Sequence, residues 1–246
     1  AELERKCIVP IIGEISKNTD GENIVIKEGK NTPIIEMFRM IRTNLQYMLT
    51  SETHKIIMLT STESGEGKTF NAVNLALSVA MTGKKVAIVG MDIRSPQLFR
   101  YFDLRSSKGV VSYLTDLDLK VDDILQKSGV NENLTCISSG PVPPNPSELL
   151  LSPRVDELFK ELSERFDYVI VDTAPVGLVT DTLLINRVAN LTIYICRENY
   201  TKKDAIEYIN NYKRTNRLTN LCVLLNETNL KKTYGYSYGY SDSSKK

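Results

Sequence analysis

The stretch S-G-E-G-K-T at residues 64–69 combines residue types that suit the binding of a triphosphate. Main-chain NH groups of a glycine-rich turn can approach an anion closely, because glycine has no Cβ. Lys68 is expected to reach the β- and γ-phosphates, and the Thr69 hydroxyl is expected to bind Mg²⁺. A helical pattern starts at Phe70, so the positive end of a helix dipole would point at the anion.

This stretch departs at one position from the G-x-x-x-x-G-K-[ST] motif, since Thr62 stands in the place of the first glycine. An apolar, strand-like run at residues 56–59 precedes it and a helical pattern follows it. The alternative interpretation is a glycine-rich strand-to-helix turn with an incidental lysine. The strand and the helix are the context that the motif requires, and they favour a nucleotide site.

Acidic residues closely follow two other apolar runs. Asp92 comes after residues 85–89, and Asp172 comes directly after residues 168–171. Open α/β sheets bind ligands at the carboxyl ends of their strands, so both acids are candidate site residues. Asp172 fits the second acid that accompanies a phosphate loop and orders the metal or a metal-bound water. A cap on the following loop is the alternative for Asp172. Asn226 ends the last apolar run and faces the same edge.

Apolar runs recur at helix-sized intervals, which predicts the α/β class. Strands buried on both faces are typical of a parallel sheet, so we expect a mostly parallel sheet with helices on both faces. The predicted strands are residues 55–60, 85–89, 134–138, 168–171, 191–196 and 221–225. The predicted helices are residues 33–49, 71–81, 154–165 and 202–214, and Ser147 is expected to cap a further helix.

The sequence divides into three parts. Residues 1–31 are interpreted as an N-terminal leader, because they contain one short apolar segment and a polar loop rich in glycine and lysine. Residues 32–230 carry the core. Residues 231–246 change character abruptly and contain no aliphatic side chain after Tyr234, which predicts a flexible tail.

Composition excludes several function classes. Lysine and arginine number 31 against 30 acidic residues, a net charge of +1, so there is no global field for holding nucleic acid. No apolar run approaches the roughly 18 to 20 residues that a membrane span needs. His54 stands alone and is given no role. Reduced, buried thiols are favoured because the cysteines are far apart and lack C-x-x-C spacing: Cys7, Cys136, Cys196 and Cys222.

Glu36, Arg39 and Arg42 stand three residues apart within the helical pattern at residues 33–49. They therefore share one face beside the apolar stripe. A solvated, charged face is the simplest interpretation of such a pattern.

The tail contains four tyrosines that alternate with glycine and serine: Tyr234, Tyr236, Tyr238 and Tyr240. Taken alone, this pattern is also typical of a low-complexity sticky tail or of an edge strand.

Five features together resemble the bacterial protein-tyrosine kinases that regulate capsule and exopolysaccharide assembly. They are the glycine-rich stretch, V-A-I-V-G-M-D-I-R-S-P, P-P-N-P-S-E-L-L, D-Y-V-I-V-D-T-A-P-V and the tyrosine-rich tail. Without the tail, the same core would equally resemble the chromosome-partitioning and division-site ATPases. Glu63 stands where those ATPases carry a signature lysine, and Arg94 stands where the partitioning type usually has glutamine.

The resemblance implies a P-loop NTPase core that binds ATP and Mg²⁺ and forms ADP as a product. It assigns catalytic roles to Lys68, Asp92 and Asp172, and metal binding to Thr69, Asp92 and Asp172. The second acidic motif of the family reads D-x-D-x-R, whose first acid is Gly90 here. Asp92 is then the residue that activates the acceptor hydroxyl. The implied nucleotide-binding residues are Ser64, Gly65, Glu66, Gly67, Lys68, Thr69, Phe70, Arg94 and Asn226.

The resemblance also implies partners. Glu36, Arg39 and Arg42 match the E-x-x-R-x-x-R helix through which these kinases form rings, such as octamers. Such a ring would present the tail tyrosines of one subunit to the next. Further implied partners are a membrane chain-length or co-polymerase region, on the same or a separate polypeptide, and a cognate tyrosine phosphatase. The implied location is the cytoplasm, at the inner face of the membrane. A non-kinase ATPase switch and a nucleotide-binding assembly module remain the alternatives.

Overall fold

The computed structural model describes residues 2–49, 55–105 and 107–229. In chain order, the strands in these ranges are β1 (Ile11–Ser16), β2 (Ile56–Ser61), β3 (Val86–Gly90), β4 (Gln126–Lys127), β5 (Leu134–Ile137), β6 (Tyr168–Asp172), β7 (Leu191–Arg197) and β8 (Leu221–Thr228). They form one sheet with the spatial order β1-β8-β7-β2-β6-β3-β5-β4. All neighbouring pairs are parallel except β4 and β5, which are antiparallel.

Helices cover both faces of this sheet. Those in the described ranges are α1 (Glu2–Lys6), α2 (Pro33–Met48), α3 (Lys68–Ala80), α4 (Val110–Thr115), α5 (Pro146–Leu150), α6 (Pro153–Arg165), α7 (Asp181–Ile185) and α8 (Ala205–Arg214). Alternate side chains of a strand point to opposite faces. Ile57 and Leu59 of β2 accordingly pack with α2 and α3, whereas Ile56 and Met58 pack with α4, α6 and α8.

The predicted fold class is confirmed: the sheet is mostly parallel and lies between two layers of helices. The ends of the first five predicted strands agree with the structure to within one residue, and the last strand runs to Thr228. The central strands β2, β3 and β6 are buried along their whole lengths, which explains why their sequences are continuously apolar.

Part of the predicted leader belongs to the sheet. Strand β1 pairs in parallel with β8, with Ile11 opposite Val223 and Ile15 opposite Asn226. Further along, the main-chain NH groups of Val25 and Ile26 both donate to Oδ1 of Asn74 on α3. Residues 11–16 therefore form an edge strand of the core and do not precede it. Their sequence, I-I-G-E-I-S, is interrupted by glycine and glutamate and therefore lacks the continuous apolar run that indicated the other core strands.

Three predicted helix starts are wrong, and one of them is that of α8, which begins at Ala205 rather than at residue 202. Helix α3 begins at Lys68 rather than at residue 71, directly after Gly67, which adopts a left-handed conformation at the N-cap. This start places Lys68 and Thr69 in the first turn. Ser147 is not a cap, because α5 starts at Pro146 with Asn145 at its N-cap. Proline suits the first helical position, so the helix starts one residue before Ser147.

The cysteines agree with the prediction. Within the described part of the chain all of them are free thiols, and Cys136, Cys196 and Cys222 are buried. Among the helices that the structure describes, none is long and apolar enough to cross a membrane. His54 and the tail, with its four predicted acceptor tyrosines, lie outside the described residues.

Candidate active site

The connection between β2 and α3 contains the glycine-rich stretch, and residues 62–69 are called the phosphate loop below. Gly65 and Gly67 have φ angles of +86° and +92°, in the region that favours glycine. A Cβ at Gly67 would clash with Nδ2 of Asn226, and one at Gly65 would lie 2.9 Å from the Tyr200 hydroxyl. Backbone conformation and space therefore both require glycine at these two positions.

A cavity of about 690 Å³ opens between the phosphate loop and the segments that follow β3 and β6. Parallel strands bring their carboxyl ends to one edge of a sheet, which explains why these segments meet here. The predicted residues that line the cavity are Ser64, Gly65, Gly67, Lys68, Thr69, Phe70, Asp92 and Arg94. The structure thus brings together residues that are more than 20 positions apart in sequence.

Lys68 supplies the central positive charge of this cavity. Its residue is only 8% exposed, yet it forms no ion pair with any residue that the structure describes. Its charge opposes the rise in the pKa of both Asp92 and Asp172. A buried ammonium without a direct carboxylate partner is suited to an anionic ligand such as a phosphate.

Asp172 lies at the end of β6 and is 2% exposed. Its Oδ2 accepts a 2.7 Å hydrogen bond from the Thr69 hydroxyl. Among the described residues, Oδ1 has no hydrogen-bond partner. Burial raises the pKa of this carboxyl to about 6, against the opposing effects of Lys68 and Thr69. The carboxylate is therefore fixed and desolvated, with one oxygen left to bind a ligand.

Asp92 follows β3 in an irregular segment, and it is one of the residues that line the cavity. Its main-chain NH donates to the Asp172 carbonyl oxygen at 3.1 Å, so the two acidic residues are linked through the backbone. Its Oδ1 accepts a 2.9 Å hydrogen bond from the Ser95 NH. Burial raises the pKa of Asp92, and the bond from Ser95 opposes this rise. The geometry suits a general base that faces the cavity.

Gly90, where the family motif has its first acid, lies directly opposite Asp172 in the sheet. A Cβ at Gly90 would lie 2.8 Å from the hydroxyl oxygen of Ser139 and 3.3 Å from its main-chain nitrogen. That hydroxyl donates to the carbonyl oxygens of Gly90 and Asp92 at 2.8 and 3.2 Å. Ser139 therefore occupies the space beside this position, and a carboxylate could not enter unless it moved.

Arg94 lines the cavity, but its guanidinium group forms hydrogen bonds with Asp181 and Ser147. Its Nε and Nη2 donate to the two carboxylate oxygens of Asp181 at 2.6 and 3.0 Å, and Nη2 also donates to Ser147 at 2.9 Å. Ser147, predicted as a helix cap, instead donates to Asp181. Sequence reasoning missed Asp181, which is 1% exposed. Its only signal is its position soon after the D-T-A-P segment.

The side chains of Glu66 and Asn226 do not line the main cavity. The Glu66 carboxylate is fully buried and does not line the cavity. Nδ2 of Asn226 donates to the Glu66 carbonyl oxygen at 2.9 Å. Asn226 and Phe70 border an adjoining cleft of about 270 Å³, which meets the loop at Gly67. The predicted binding role of Glu66 therefore rests on its main chain, whereas that of Asn226 also includes this cleft.

Tyr101 is a cavity residue that sequence reasoning did not find. It borders the cavity beside Arg100, after the short 3-10 turn Leu98–Arg100. Burial, with a contribution from the charge of Asp172, raises the pKa of its hydroxyl to about 12. This hydroxyl therefore stays protonated at neutral pH. No sequence motif surrounds Tyr101, so its place follows only from the tertiary structure.

The charged face of α2 lies away from this cavity. Arg39 forms an ion pair with Glu36 and donates to Asn31 at 3.0 Å. Arg42 donates to the carbonyl oxygen of Ser78 on α3 at 2.7 Å, and burial lowers its pKa. All three predicted residues are half-buried. Within one chain, Arg42 therefore joins two helices, whereas Glu36 and Arg39 lie at the surface.

The residues present fit a magnesium ion. Thr69 and Asp172 place two oxygens together, and the unpartnered Oδ1 of Asp172 is a hard ligand of the type that Mg²⁺ prefers. The described residues contain no group of three or more His, Cys, Asp and Glu side chains that could hold a metal. Mg²⁺ usually takes one or two carboxylates and completes its shell with phosphates and waters, so the Asp172 carboxylate and the Thr69 hydroxyl are enough as protein ligands.

Comparisons with known proteins identify the family. Residues 54–223 match a family described as AAA domain. Tyrosine-protein kinase YwqD of Bacillus subtilis is 34% identical over 210 residues, which cover 85% of this chain and 87% of that protein. The chain belongs to the bacterial tyrosine-protein kinase family. This membership favours a tyrosine kinase over a partitioning or division-site ATPase.

Solved structures agree with the tyrosine kinase family. The chimerical protein CapA2B2 matches with a TM-score of 0.83 and 32% identity, over 92% of this chain and 98% of that one. The kinase domain of the Escherichia coli tyrosine kinase ETK matches with a TM-score of 0.83 and 25% identity, over 98% of both chains. The described residues therefore have the fold of a tyrosine kinase domain.

Proposed function

We propose that this chain transfers the γ-phosphate of ATP to tail tyrosines of a neighbouring subunit and thereby regulates the polymerisation and export of a polysaccharide. The acceptors are Tyr234, Tyr236, Tyr238 and Tyr240. One observation carries the proposal: Lys68, Asp92 and Thr69 line a single cavity, with Asp172 bound to Thr69 beneath it. Family membership and the tyrosine-rich tail favour tyrosine over water as the acceptor of the phosphate.

In the proposed reaction, the phosphate loop and Lys68 bind the β- and γ-phosphates. Main-chain NH groups and a buried ammonium stabilise the negative charge that spreads over the γ-phosphoryl oxygens. Thr69 and Asp172 would hold Mg²⁺, which neutralises further charge on the phosphates when it is bound. Arg94, held by Asp181, contributes a second positive charge at the cavity wall.

Asp92 would accept the proton of the acceptor tyrosine. A tyrosine hydroxyl titrates near pH 10 and is a poor nucleophile at neutral pH without such an acceptor. As the proton moves to the Asp92 carboxylate, the phenolic oxygen bonds to the γ-phosphorus, the bond from that phosphorus to the bridging oxygen breaks, and ADP leaves. The raised pKa of Asp92 makes its carboxylate a stronger base.

The proposal includes a ring of subunits built through the α2 face. Arginine forks pair well with carboxylates of a neighbour, and a head-to-tail contact can close into a ring such as an octamer. Because Arg42 already joins α2 to α3, Glu36 and Arg39 are the more available groups. Each phosphate adds about −1.5 to −2 charges, so a modified tail should leave a neighbouring anion site and loosen the ring.

Further proposed partners are a membrane co-polymerase region, on the same or a separate polypeptide, and a tyrosine phosphatase that resets the tail. Both follow from the resemblance to capsule and exopolysaccharide kinases, as does a location at the inner face of the membrane. Pull-down with the unmodified chain tests binding of the co-polymerase region. The α2 face is tested separately: replacing Glu36 and Arg39 by alanine should lower the molecular mass in solution, and an unchanged mass would argue against this surface.

Phosphate transfer is tested by incubating the chain with ATP and Mg²⁺ and mapping phosphate by mass spectrometry. We expect modification of the four tail tyrosines and none in Lys68→Met, which lacks the phosphate-binding ammonium. A mixture distinguishes transfer between copies: Lys68→Met with an intact tail is combined with an otherwise unchanged chain that ends before Tyr234. Phosphate on the tail of the Lys68→Met chain supports transfer between subunits. Release of phosphate to water with unmodified tyrosines would favour an ATPase switch.

A further inference from the structure

The phosphate loop carries a carboxylate that the proposed reaction does not use. Glu66 is fully buried, and its side chain points away from the cavity. One carboxylate oxygen accepts a 2.7 Å hydrogen bond from the main-chain NH of Glu63, near the beginning of the loop. The other accepts a hydrogen bond from the hydroxyl of Thr201, which follows β7. Glu66 therefore joins the middle of the loop to its beginning and connects both to the segment after β7.

The segment after β7 contacts the loop at several points. Nη1 of Arg197 donates to the carbonyl oxygen of Gly65 at 2.9 Å, and the Tyr200 hydroxyl donates to that of Ser64 at 3.0 Å. Thr201 is itself oriented, because its hydroxyl oxygen accepts a 2.7 Å hydrogen bond from the Arg197 NH. This bond leaves the Thr201 hydroxyl hydrogen free to point at Glu66. The loop is thus supported from outside by residues 197–201.

Such support matters because glycine permits the conformation of the loop without selecting it. A glycine reaches positive φ as readily as negative φ and loses more conformational freedom on ordering than other residues. A loop whose NH groups must all face one anion therefore needs contacts that hold it in that shape before the ligand arrives. The Glu66 carboxylate also brings a negative charge close to a site for a polyanion. Electrostatics alone would disfavour this charge, so its benefit must come from the bonds it makes.

We propose that Glu66 and Thr201 are positioning residues that hold the phosphate loop in its phosphate-binding shape. This inference rests on the nucleotide site of the proposed function, but it does not require transfer to tyrosine. Neither side chain lines the cavity, and both act through the main chain of the loop. Their loss should therefore weaken nucleotide binding more than it slows a bound nucleotide's reaction, since the loop contacts the phosphates in both the ground state and the transition state.

The test compares the affinity of Glu66 and Thr201 variants for fluorescent ADP in the presence of Mg²⁺. Glu66→Ala removes both bonds and should raise the Kd by about tenfold or more, since each is a hydrogen bond to a charged group. Thr201→Val hardly changes the size of the side chain but removes the donor to Glu66 and the acceptor of the Arg197 NH. It should raise the Kd by about threefold to tenfold. Thr201→Ser keeps the hydroxyl and should bind like the unchanged chain.

A charge-matched control separates positioning from electrostatics. Glu207→Gln removes one exposed carboxylate from α8 and should leave the Kd unchanged. If the Glu66 carboxylate acted mainly by repelling phosphate, Glu66→Gln and Glu66→Ala would both bind ADP more tightly, and the proposal would be overturned. Folded Thr201→Val protein with unchanged ADP affinity would overturn it as well.

Separate measurement of kcat and KM distinguishes a positioning role from a general loss of stability. At saturating ATP, kcat of Thr201→Val should stay within about twofold of the unchanged chain, while KM rises with the Kd. A fall in kcat with unchanged KM would contradict the proposal. The proposed function can fail without this inference failing. If the unchanged chain binds ADP but does not phosphorylate tyrosine, the Kd values of the variants can still be compared. A chain that binds no ADP at all would contradict the proposed function itself.

Discussion

Two strand ends supply an acid to the same cavity, and they differ in almost every physical respect. Asp172 ends β6, is 2% exposed and is held by Thr69, with a pKa raised to about 6. Asp92 lies two residues beyond β3 in an irregular segment, half-buried, and its carboxylate is held by a main-chain NH of the same turn. The β6 end is thus rigid and desolvated, whereas the β3 end is irregular and open to the cavity.

This difference supports the separate roles that we propose for the two acids. A metal ligand benefits from a fixed carboxylate whose spare oxygen has no competing partner, which describes Asp172. A general base must reach the hydroxyl of an incoming substrate, which favours a carboxylate at the cavity surface such as Asp92. The absence of a carboxylate at Gly90 strengthens this division, because no third acid of the motif is present to take over either role.

The largest expected effect concerns Asp92. Asp92→Asn keeps an oxygen that can accept from the Ser95 NH but removes the base, so tyrosine phosphorylation should fall by about 10² to 10⁴. Affinity for ADP and Mg²⁺ should change by less than about threefold, because the phosphate loop and Asp172 are untouched. Single-turnover phosphorylation and ADP titration measure the two quantities. Transfer reduced by less than tenfold would show that another group takes the proton.

The next effect concerns stability and pH at Asp172. Its pKa is raised from the ordinary value of 3.8 to about 6, so the folded state retains a proton that the unfolded state releases. The resulting stability is present below pH 3.8 and is lost as the pH rises to about 6. At pH 8 the buried charge costs the metal-free protein about 3 kcal/mol. Asp172→Asn avoids this cost, so the metal-free variant should be more stable than the unchanged chain at pH 8.

Urea unfolding in metal-free buffer at pH 5 and pH 8 measures this difference. The advantage of Asp172→Asn should be larger at pH 8, where the native carboxyl is ionised. Adding ADP and Mg²⁺ should then stabilise the unchanged chain more than the variant, since ligands that bind only the folded state raise its stability. Equal advantages at the two pH values would mean that the Asp172 carboxyl is solvated in the native protein.

A third prediction concerns the position that breaks the motif. Gly90→Asp should not restore the missing acid, because its Cβ would lie 2.8 Å from the Ser139 hydroxyl. We expect a loss of about 1 to 3 kcal/mol in stability, typical of an overpacked core site. Ser139→Gly in the same chain should recover part of this loss, which a double-mutant cycle of unfolding free energies measures. Strictly additive effects would show that Gly90 and Ser139 do not compete for space.

These contrasts show what the sequence can predict. Continuous apolar runs predicted β2, β3 and β6, because a strand that is buried on both faces has apolar residues at every position. The same logic predicted that Lys68, Asp92 and Asp172 would meet, since carboxyl ends of parallel strands share one edge. Strand β1 was missed because an edge strand needs only partial burial, and I-I-G-E-I-S carries a weak signal.

Long-range polar contacts could not be predicted in the same way. Arg94 was assigned to the nucleotide, yet most of its hydrogen bonds go to Asp181, 87 positions later. Glu66 was grouped with the loop, yet its carboxylate binds Thr201, 135 positions away. No periodicity links such pairs, because each depends on how loops from different strands pack together. The sequence therefore indicated which residues gather at the site but not which of them hold the others in place.

The smallest expected effect concerns one of these holding residues, and it extends the comparison to the β3 end. Asp181→Asn leaves an amide group facing the Arg94 fork, so one of the two carboxylate contacts is lost. Because Arg94 is 39% exposed, solvent screens the pair, and transfer should fall by only about fivefold, equivalent to about 1 kcal/mol. Ser147→Ala removes a single contact of Arg94 and should have a smaller effect. If Asp181→Asn instead reduced transfer as much as Asp92→Asn, the ion pair between Arg94 and Asp181 would be essential for phosphate transfer. The β3 end would then be as rigidly held as the β6 end, and the contrast between the two would be wrong.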